Sequence, residues 1–209
     1  IQVRPGYANF YFNKLERDRV WKAFLANTQL LNYSGDWNMT GRLEDAGAYE
    51  IRLSEKETVG PFGGANQRVD MSKDLSEQLD PDSTGGLFTA LTVWRQLIIR
   101  GPNRFGQVYY LGTGPVPGLK GVCDVLVGTY RDVEAKFYFD PTNGRMVSME
   151  MYPDIEVDPC ELRFSDYRKV GNAMLPHKII VLHGDKKYGT ILVKSYALPK
   201  SATTKKAAS

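Results

Sequence analysis

From residue 106 to residue 198 the chain offers one strand-like segment after another: Gly106–Gly112, Gly121–Tyr130, Val133–Phe139, Met146–Tyr152, Cys160–Tyr167, Leu175–His183 and Tyr188–Leu198. The links between them are two to eight residues long. A parallel neighbour needs a crossover of a dozen or more residues, so links this short allow only antiparallel neighbours. The run therefore reads as a meander. Two segments carry clear period-two order. In VEAKFYF, Val133, Ala135, Phe137 and Phe139 share one face, and Glu134, Lys136 and Tyr138 share the other. In CELRFSDY, Cys160, Leu162 and Phe164 oppose Glu161, Arg163 and Ser165. The link DPTNGR reads as a turn, with Asn143-Gly144 supplying positive-φ positions.

Upstream, Ser34–Leu43 and Ala48–Ser54 form a candidate strand pair around a turn with Gly47, and Gln67–Met71 is a further short strand. Two segments read as helix. Asn13–Ala26 has an imperfect apolar face of Leu15, Val20, Trp21, Phe24 and Leu25. Gly86–Arg100 is better: Leu87, Leu91, Trp94 and Ile98 fall on one stripe. Ser83 or Thr84 is placed to cap its start, and Gly101-Pro102 stops it. The expected fold class is α+β: one large, curved antiparallel sheet with two helices available to cover one face. Residues 1–199 form one domain, and 200–209 form a flexible basic tail.

Hydrophobic residues make up 42% and charged residues 24%, the balance of an ordinary globular chain. No apolar run approaches the roughly 18 residues of a transmembrane segment. The opening IQVRPGYANF has no initiating Met and no signal-like h-region, so the expectation is a start after a removed signal or inside a longer protein. The net charge of +3 is matched by Lys200, Lys205 and Lys206 of the tail, which leaves a body without net charge. That body has no global electrostatic reason to bind nucleic acid. Cys123 and Cys160 are too far apart for a CxxC motif, and the favoured reading is two buried, unpaired thiols.

The motifs that invite chemistry have simpler readings. GTGPVPG (112–118) lacks GxGxxG spacing and is followed by prolines and a strand rather than a helix, so it reads as a turn. DPDSTG (80–85) starts like a calcium loop, but its twelfth place is Leu91 instead of a glutamate. Asp154, Glu156 and Asp158 read as a solvated loop rather than a metal site. GxSxG and HExxH are absent. His177 and His183 stand six positions apart on one strand, roughly 20 Å at 3.3 Å per residue. One metal or one proton relay cannot join them. Phe137, Phe139, Met149, Met151 and Phe164 gather large, soft side chains on neighbouring strands, opposite a helical lid of Leu87, Leu91 and Trp94. Such a surface either packs solidly or repacks around apolar ligands.

The stretches FDPTNGRMVSMEM, FSDYRKVGNAMLPHKIIV and YGTILVKSYAL resemble the end of the bacterial outer-membrane lipoprotein carriers, the LolA/LolB-like group, over about residues 133 to 198. The residues that carry the likeness are Phe139-Asp140-Pro141, Gly144, Phe164 to Arg168 and Leu175-Pro176-His177. The resemblance implies an unclosed barrel plugged by helices and a cavity that shields acyl chains, and it brings no catalytic residue. A second set, RPGYANFYFNKLERDRVW, GQVYYLGTGPVPG and DPCELRFSDYRKV, resembles a domain appended after the protease domain of some secreted trypsin-like serine proteases. On that resemblance an upstream part would do the chemistry, since no protease signature lies in this chain.

The leading expectation is a non-catalytic domain of the cell envelope, periplasmic or secreted, without cofactor or metal. It would bind an apolar small molecule, a lipid or a lipidated protein against Leu87, Leu91, Trp94, Phe137, Phe139, Met149 and Met151. The alternatives are a solid-core interaction or targeting module of a larger protease, and a hydrolase that uses a single histidine.

Overall fold

The structure is a computed structural model, and it describes residues 5, 8–30, 33, 35–44, 47–62, 65–78, 86–152, 158–184 and 186–199. Helix α1 (Ala8–Thr28) is followed by β1 (Trp37–Leu43), β2 (Gly47–Leu53), β3 (Glu57–Phe62) and β4 (Ala65–Asp70). After a 3-10 turn at Ser76–Gln78 come α2 (Leu87–Arg100) and the one-turn α3 (Pro102–Phe105). Seven strands complete the order: β5 (Gln107–Gly114), β6 (Cys123–Tyr130), β7 (Val133–Phe139), β8 (Met146–Tyr152), β9 (Cys160–Val170), β10 (Ala173–His183) and β11 (Lys186–Ala197).

All eleven strands belong to one antiparallel sheet, in the order β4-β3-β2-β1-β11-β10-β9-β8-β7-β6-β5. The first four strands and the last seven are separate meanders, joined where β1 pairs with β11. The sheet is not closed, so β4 and β5 are its two edges. Each edge is gripped by a side-chain amide. Asn13 Nδ2 donates to the Tyr110 carbonyl at 2.6 Å and Asn13 Oδ1 accepts from the Tyr110 N–H at 3.0 Å. Gln78 does the same to Asp70, at 2.9 and 2.6 Å. Both amides occupy backbone groups that would otherwise offer pairing to another strand.

The chain has to cross from the β4 edge to the β5 edge between these two meanders, and α2 lies on that crossing. Trp94 of α2 touches Trp37 on β1 and Phe164 on β9, and Thr92 bonds Thr58 on β3, so the sheet curls around the helix. Twelve of the 14 residues of α2 are buried, so the expected one-sided stripe is replaced by burial on every side. Phe88, Ala90, Val93 and Leu97 join Leu87, Leu91, Trp94 and Ile98 in the core.

The strands of the second meander lie close to their expected places, and Val133–Phe139 and Met146–Tyr152 have the expected bounds. β3 was not among the expected strands. It pairs with β4 along its whole length and with β2 only at Val59 and Thr58, so the missing N–H of Pro61 breaks no bond with β2. Pro102, expected only to stop α2, takes the first position of α3. The cap of α2 is Gly86 in the left-handed conformation, with no side-chain cap bond; Ser83 and Thr84 lie outside the described residues, as do the 80–85 motif and the 200–209 tail. In the β7–β8 turn only Gly144 has positive φ, at 66°. Asn143 instead donates to Asp140 Oδ2 and accepts from the Arg145 N–H. A Cβ on Gly144 would fall 2.5 Å from the Ala23 carbonyl, which shows how closely α1 rests on this turn. α1 itself divides in two. Val20, Trp21, Phe24 and Thr28 are buried, while Leu15, expected on the same apolar face, is 65% exposed.

Gly86, the cap of α2, lies close against the sheet: a Cβ there would lie 3.1 Å from Cys160 Cβ and 3.2 Å from Met151 Cε, at a φ of 80°. Gly121 has a similar φ of 88° with nothing nearby. Gly86→Ala should therefore lower the unfolding free energy by about 1–3 kcal/mol in urea titration, and by more than Gly121→Ala.

Candidate functional site

The concave face carries an apolar row that crosses six strands. Cross-strand neighbours run Tyr110–Leu126–Phe137–Met149–Leu162–Val181, one residue from each of β5, β6, β7, β8, β9 and β10. A parallel row of Ala135, Met151 and Cys160 lies beside it. The helices press on these rows. Phe105 of α3 meets Phe137 edge-on at 5.8 Å, and Phe24 of α1 meets Phe139 at 5.5 Å. On the other side of α2, Trp94 stacks on Phe164 with ring centres 5.4 Å apart and takes Trp37 edge-on at 5.6 Å.

The seven residues picked out in the sequence all fall in this one cluster. Leu87, Leu91, Phe137, Met149 and Met151 are 0% exposed, Phe139 1% and Trp94 2%. Each such side chain gains about 1.5–3 kcal/mol from burial, so they hold α2 in place as much as they line anything. Trp37, Phe24, Phe88 and Phe105 belong to the same packing; Phe24 was placed on the apolar face of the first helix, and the other three were not singled out.

The interior also contains polar groups. The Thr92 and Thr58 hydroxyls bond each other at 2.7 Å, and Thr89 Oγ1 donates to the Gln78 carbonyl at 3.0 Å. Arg95 is 1% exposed. Its guanidinium donates to the Gly35 carbonyl at 2.8 Å and to the Ser54 carbonyl at 3.1 Å, and it lies over the Trp37 ring at 5.8 Å. Burial lowers its pKa, with the carboxylates of Asp36 and Glu55 acting the other way. Arg95 thus ties α2 to the approach to β1 and to the β2–β3 turn. One sequence signal was available: nine residues without a charge, GLFTALTVW, precede it, which is the mark of a helix buried all round.

His177 and His183 are not brought together: both lie on β10. His177 is buried, with Nδ1 3.1 Å from the carbonyl of Leu175 and its ring edge-on to Tyr196 at 5.4 Å. His183 pairs across from Cys160. Residues 112–118 end β5 and begin the link to β6, as expected of a turn. Asp154 and Glu156 lie outside the described residues; among the described residues no group of three or more His, Cys, Asp or Glu is placed to hold a metal ion. Cys123 and Cys160 are free and buried. Cys160 faces the main core, whereas Cys123 packs with Val116, Val125 and Tyr138 in a second, smaller cluster.

Outside the core, a cleft of about 220 Å³ opens between α1, α3 and β5, lined by Phe10, Asn13, Lys14, Arg17, Asn103 and Val108. Arg17 donates to Asp18 and to Asn103 Oδ1. Farther along α1, Arg19 makes two bonds to Asp124, at 2.8 and 3.0 Å, and Tyr110 OH donates to the same carboxylate.

In sequence, neither a protein-family model nor a curated protein matches the chain. In structure it is similar to a LolA superfamily protein from Nitrosomonas europaea, with TM-score 0.50, 10% identity, and 88% of this chain and 94% of that one covered. It is also similar to a structure described as an outer membrane lipoprotein-sorting protein domain from Vibrio parahaemolyticus, with TM-score 0.52, 12% identity, and 90% and 95% covered. The chain has a LolA/LolB-like fold. At such identities the likeness is one of fold. Neither of these structures is described as a protease, and the resemblance to a protease appendage finds no support in them. No described helix is long and apolar enough to cross a membrane.

Burial pushes the Cys160 thiol up to about 12 from an ordinary 9.0. Ellman's reagent should therefore leave Cys160 unmodified in the folded protein at mildly alkaline pH and react with it once guanidinium is added. The folded state favours the protonated thiol, so its contribution to stability is complete below about pH 9 and is lost as pH rises toward 12. Urea midpoints should fall over that range. Cys160→Ala should flatten the first part of the fall, before tyrosines ionise above about pH 10.

Proposed function

We propose that the chain is a non-catalytic binding domain of the cell envelope that holds an acyl chain, a lipid or a lipidated peptide between α2 and the concave sheet. The observation that carries this reading is the row Leu126–Phe137–Met149–Leu162 with Met151 beside it: a continuous, charge-free surface with two methionines at its centre. Methionine repacks around varied apolar shapes at little cost. The LolA/LolB-like fold supports the reading, and so does the Vibrio neighbour, described as belonging to a lipoprotein-sorting protein. An envelope location, periplasmic or secreted, follows on the same grounds.

Magnitudes restrict the ligand. Lifting Leu87, Leu91 and Trp94 off the sheet forfeits roughly 5–9 kcal/mol, at about 1.5–3 per side chain. An acyl chain recovers about 0.8 kcal/mol per buried methylene. Short chains therefore cannot open the interior, and chains of roughly ten carbons or more can. Competition against a fluorescent fatty-acid probe should show inhibition constants that fall about fourfold per added methylene, with a shift in Trp94 emission on binding. A folded sample that binds no fatty acid of any length, or binds without dependence on length, contradicts the proposal.

The dense packing about Trp94 favours a second reading, an interaction module with a solid core. The same titration separates the two, since a solid core predicts no displacement at any chain length.

A further inference from the structure

Seven large apolar side chains are exposed among the described residues, and six of them gather on one edge of the sheet. Tyr11, Phe12 and Leu15 project from the first half of α1, at 56, 69 and 65% exposure. Leu111 lies on β5, and Leu119 and Val122 on the link from β5 to β6. α1 is fixed to this edge at two points, by Asn13 on Tyr110 and by Arg19 on Asp124. Asn13 turns toward the sheet, so Tyr11, Phe12 and Leu15 share the face turned away from it.

Within the two apolar segments the charges are of one sign, and Asp124 at the same edge is paired with Arg19. The segments 8–15 and 111–122 contain Lys14 and Lys120 and no Asp or Glu. Both lysines are exposed. The acids of α1, Glu16 and Asp18, come later and are paired with Arg19 and Arg17. The helix carries Lys14, Arg17, Arg19 and Lys22 against those two acids, a net charge of +2. The apolar groups stand on a projecting helix turn and on a link rich in glycine and proline. Aromatic and aliphatic tips flanked by lysine suit a lipid interface, where the apolar tips enter the acyl boundary and the ammonium groups meet phosphate.

We propose that the β5 edge docks on an anionic phospholipid bilayer, with Tyr11, Phe12 and Leu15 entering the interface and Lys14 and Lys120 meeting the headgroups. This docking is independent of whether the interior holds a ligand. The test is flotation of the folded chain with two kinds of vesicle, one of phosphatidylglycerol and phosphatidylethanolamine and one of phosphatidylcholine alone. The chain should float with the first and much less with the second, and added salt should release it. The triple variant Tyr11→Ser, Phe12→Ser, Leu15→Ser should lower partition on the order of tenfold or more. Its urea midpoint should be unchanged, because all three side chains are exposed, and its fatty-acid displacement should be unchanged as well. Lys14→Glu with Lys120→Glu should weaken binding to the anionic vesicles alone. Equal binding to both vesicle types, or full binding by the triple variant, overturns the proposal. So does a chain that ignores vesicles and instead sediments as a dimer that the triple variant dissociates.

Discussion

Twelve of the 14 residues of α2 are buried, so this helix has no wet face inside its eleven-stranded sheet. Curling the sheet around α2 meets that demand. Much else in the structure is arranged about that axle. Trp94 is wedged between Trp37 of the first meander and Phe164 of the second, so a single indole joins both halves of the sheet. Arg95, the next residue, fixes the rotation of the helix through two backbone carbonyls. A guanidinium at this depth is stable only with such partners, and this makes it a gauge of register as well as an anchor.

The same arrangement gives the proposed function its character. The apolar rows that would receive a ligand are the rows that hold α2, so binding and stability draw on one set of contacts. A ligand succeeds by replacing the helix's contacts with its own. Methionines at the centre of the rows ease that exchange, while Arg95, Thr92 and Thr89 hold the far side of α2 by hydrogen bonds that an acyl chain does not displace. The helix would thus yield on the face toward β7 and β8 and keep its hold on the first meander.

Much of the fold was legible because the second meander obeys simple rules. Val133–Phe139 alternates without a break, and its inward residues are all buried; Tyr138, on the other face, is buried too, in the smaller cluster with Cys123. The candidate lining was legible for the same reason, since Phe137 and Met149 stand on adjacent, well-patterned strands. What stayed hidden was whatever depends on distant chain. β3 contains Gly60-Pro61 and is a strand through its pairing with β4 along its whole length and, more briefly, with β2. Asn143 looked like a backbone device and serves as a side-chain clamp, a choice made by the carboxylate of Asp140. Leu15 lies on the face of α1 opposite Phe24, away from the sheet that Asn13 bonds, and so stays exposed. The burial of Arg95 depends on Gly35, Trp37 and Ser54, which are distant in sequence, and the pattern of α2 alone does not show them.

The central claim is that α2 is both the core of the molecule and the part that moves to admit a ligand. Hydrogen exchange of the α2 amides, with and without a saturating long-chain fatty acid, tests it most directly. The account predicts that residues 90–98 are among the slowest to exchange in the free protein and lose protection selectively in the complex, while β7 and β8 keep theirs. Unchanged protection of α2 in a saturated complex would contradict it, and so would fast exchange of α2 in the free protein.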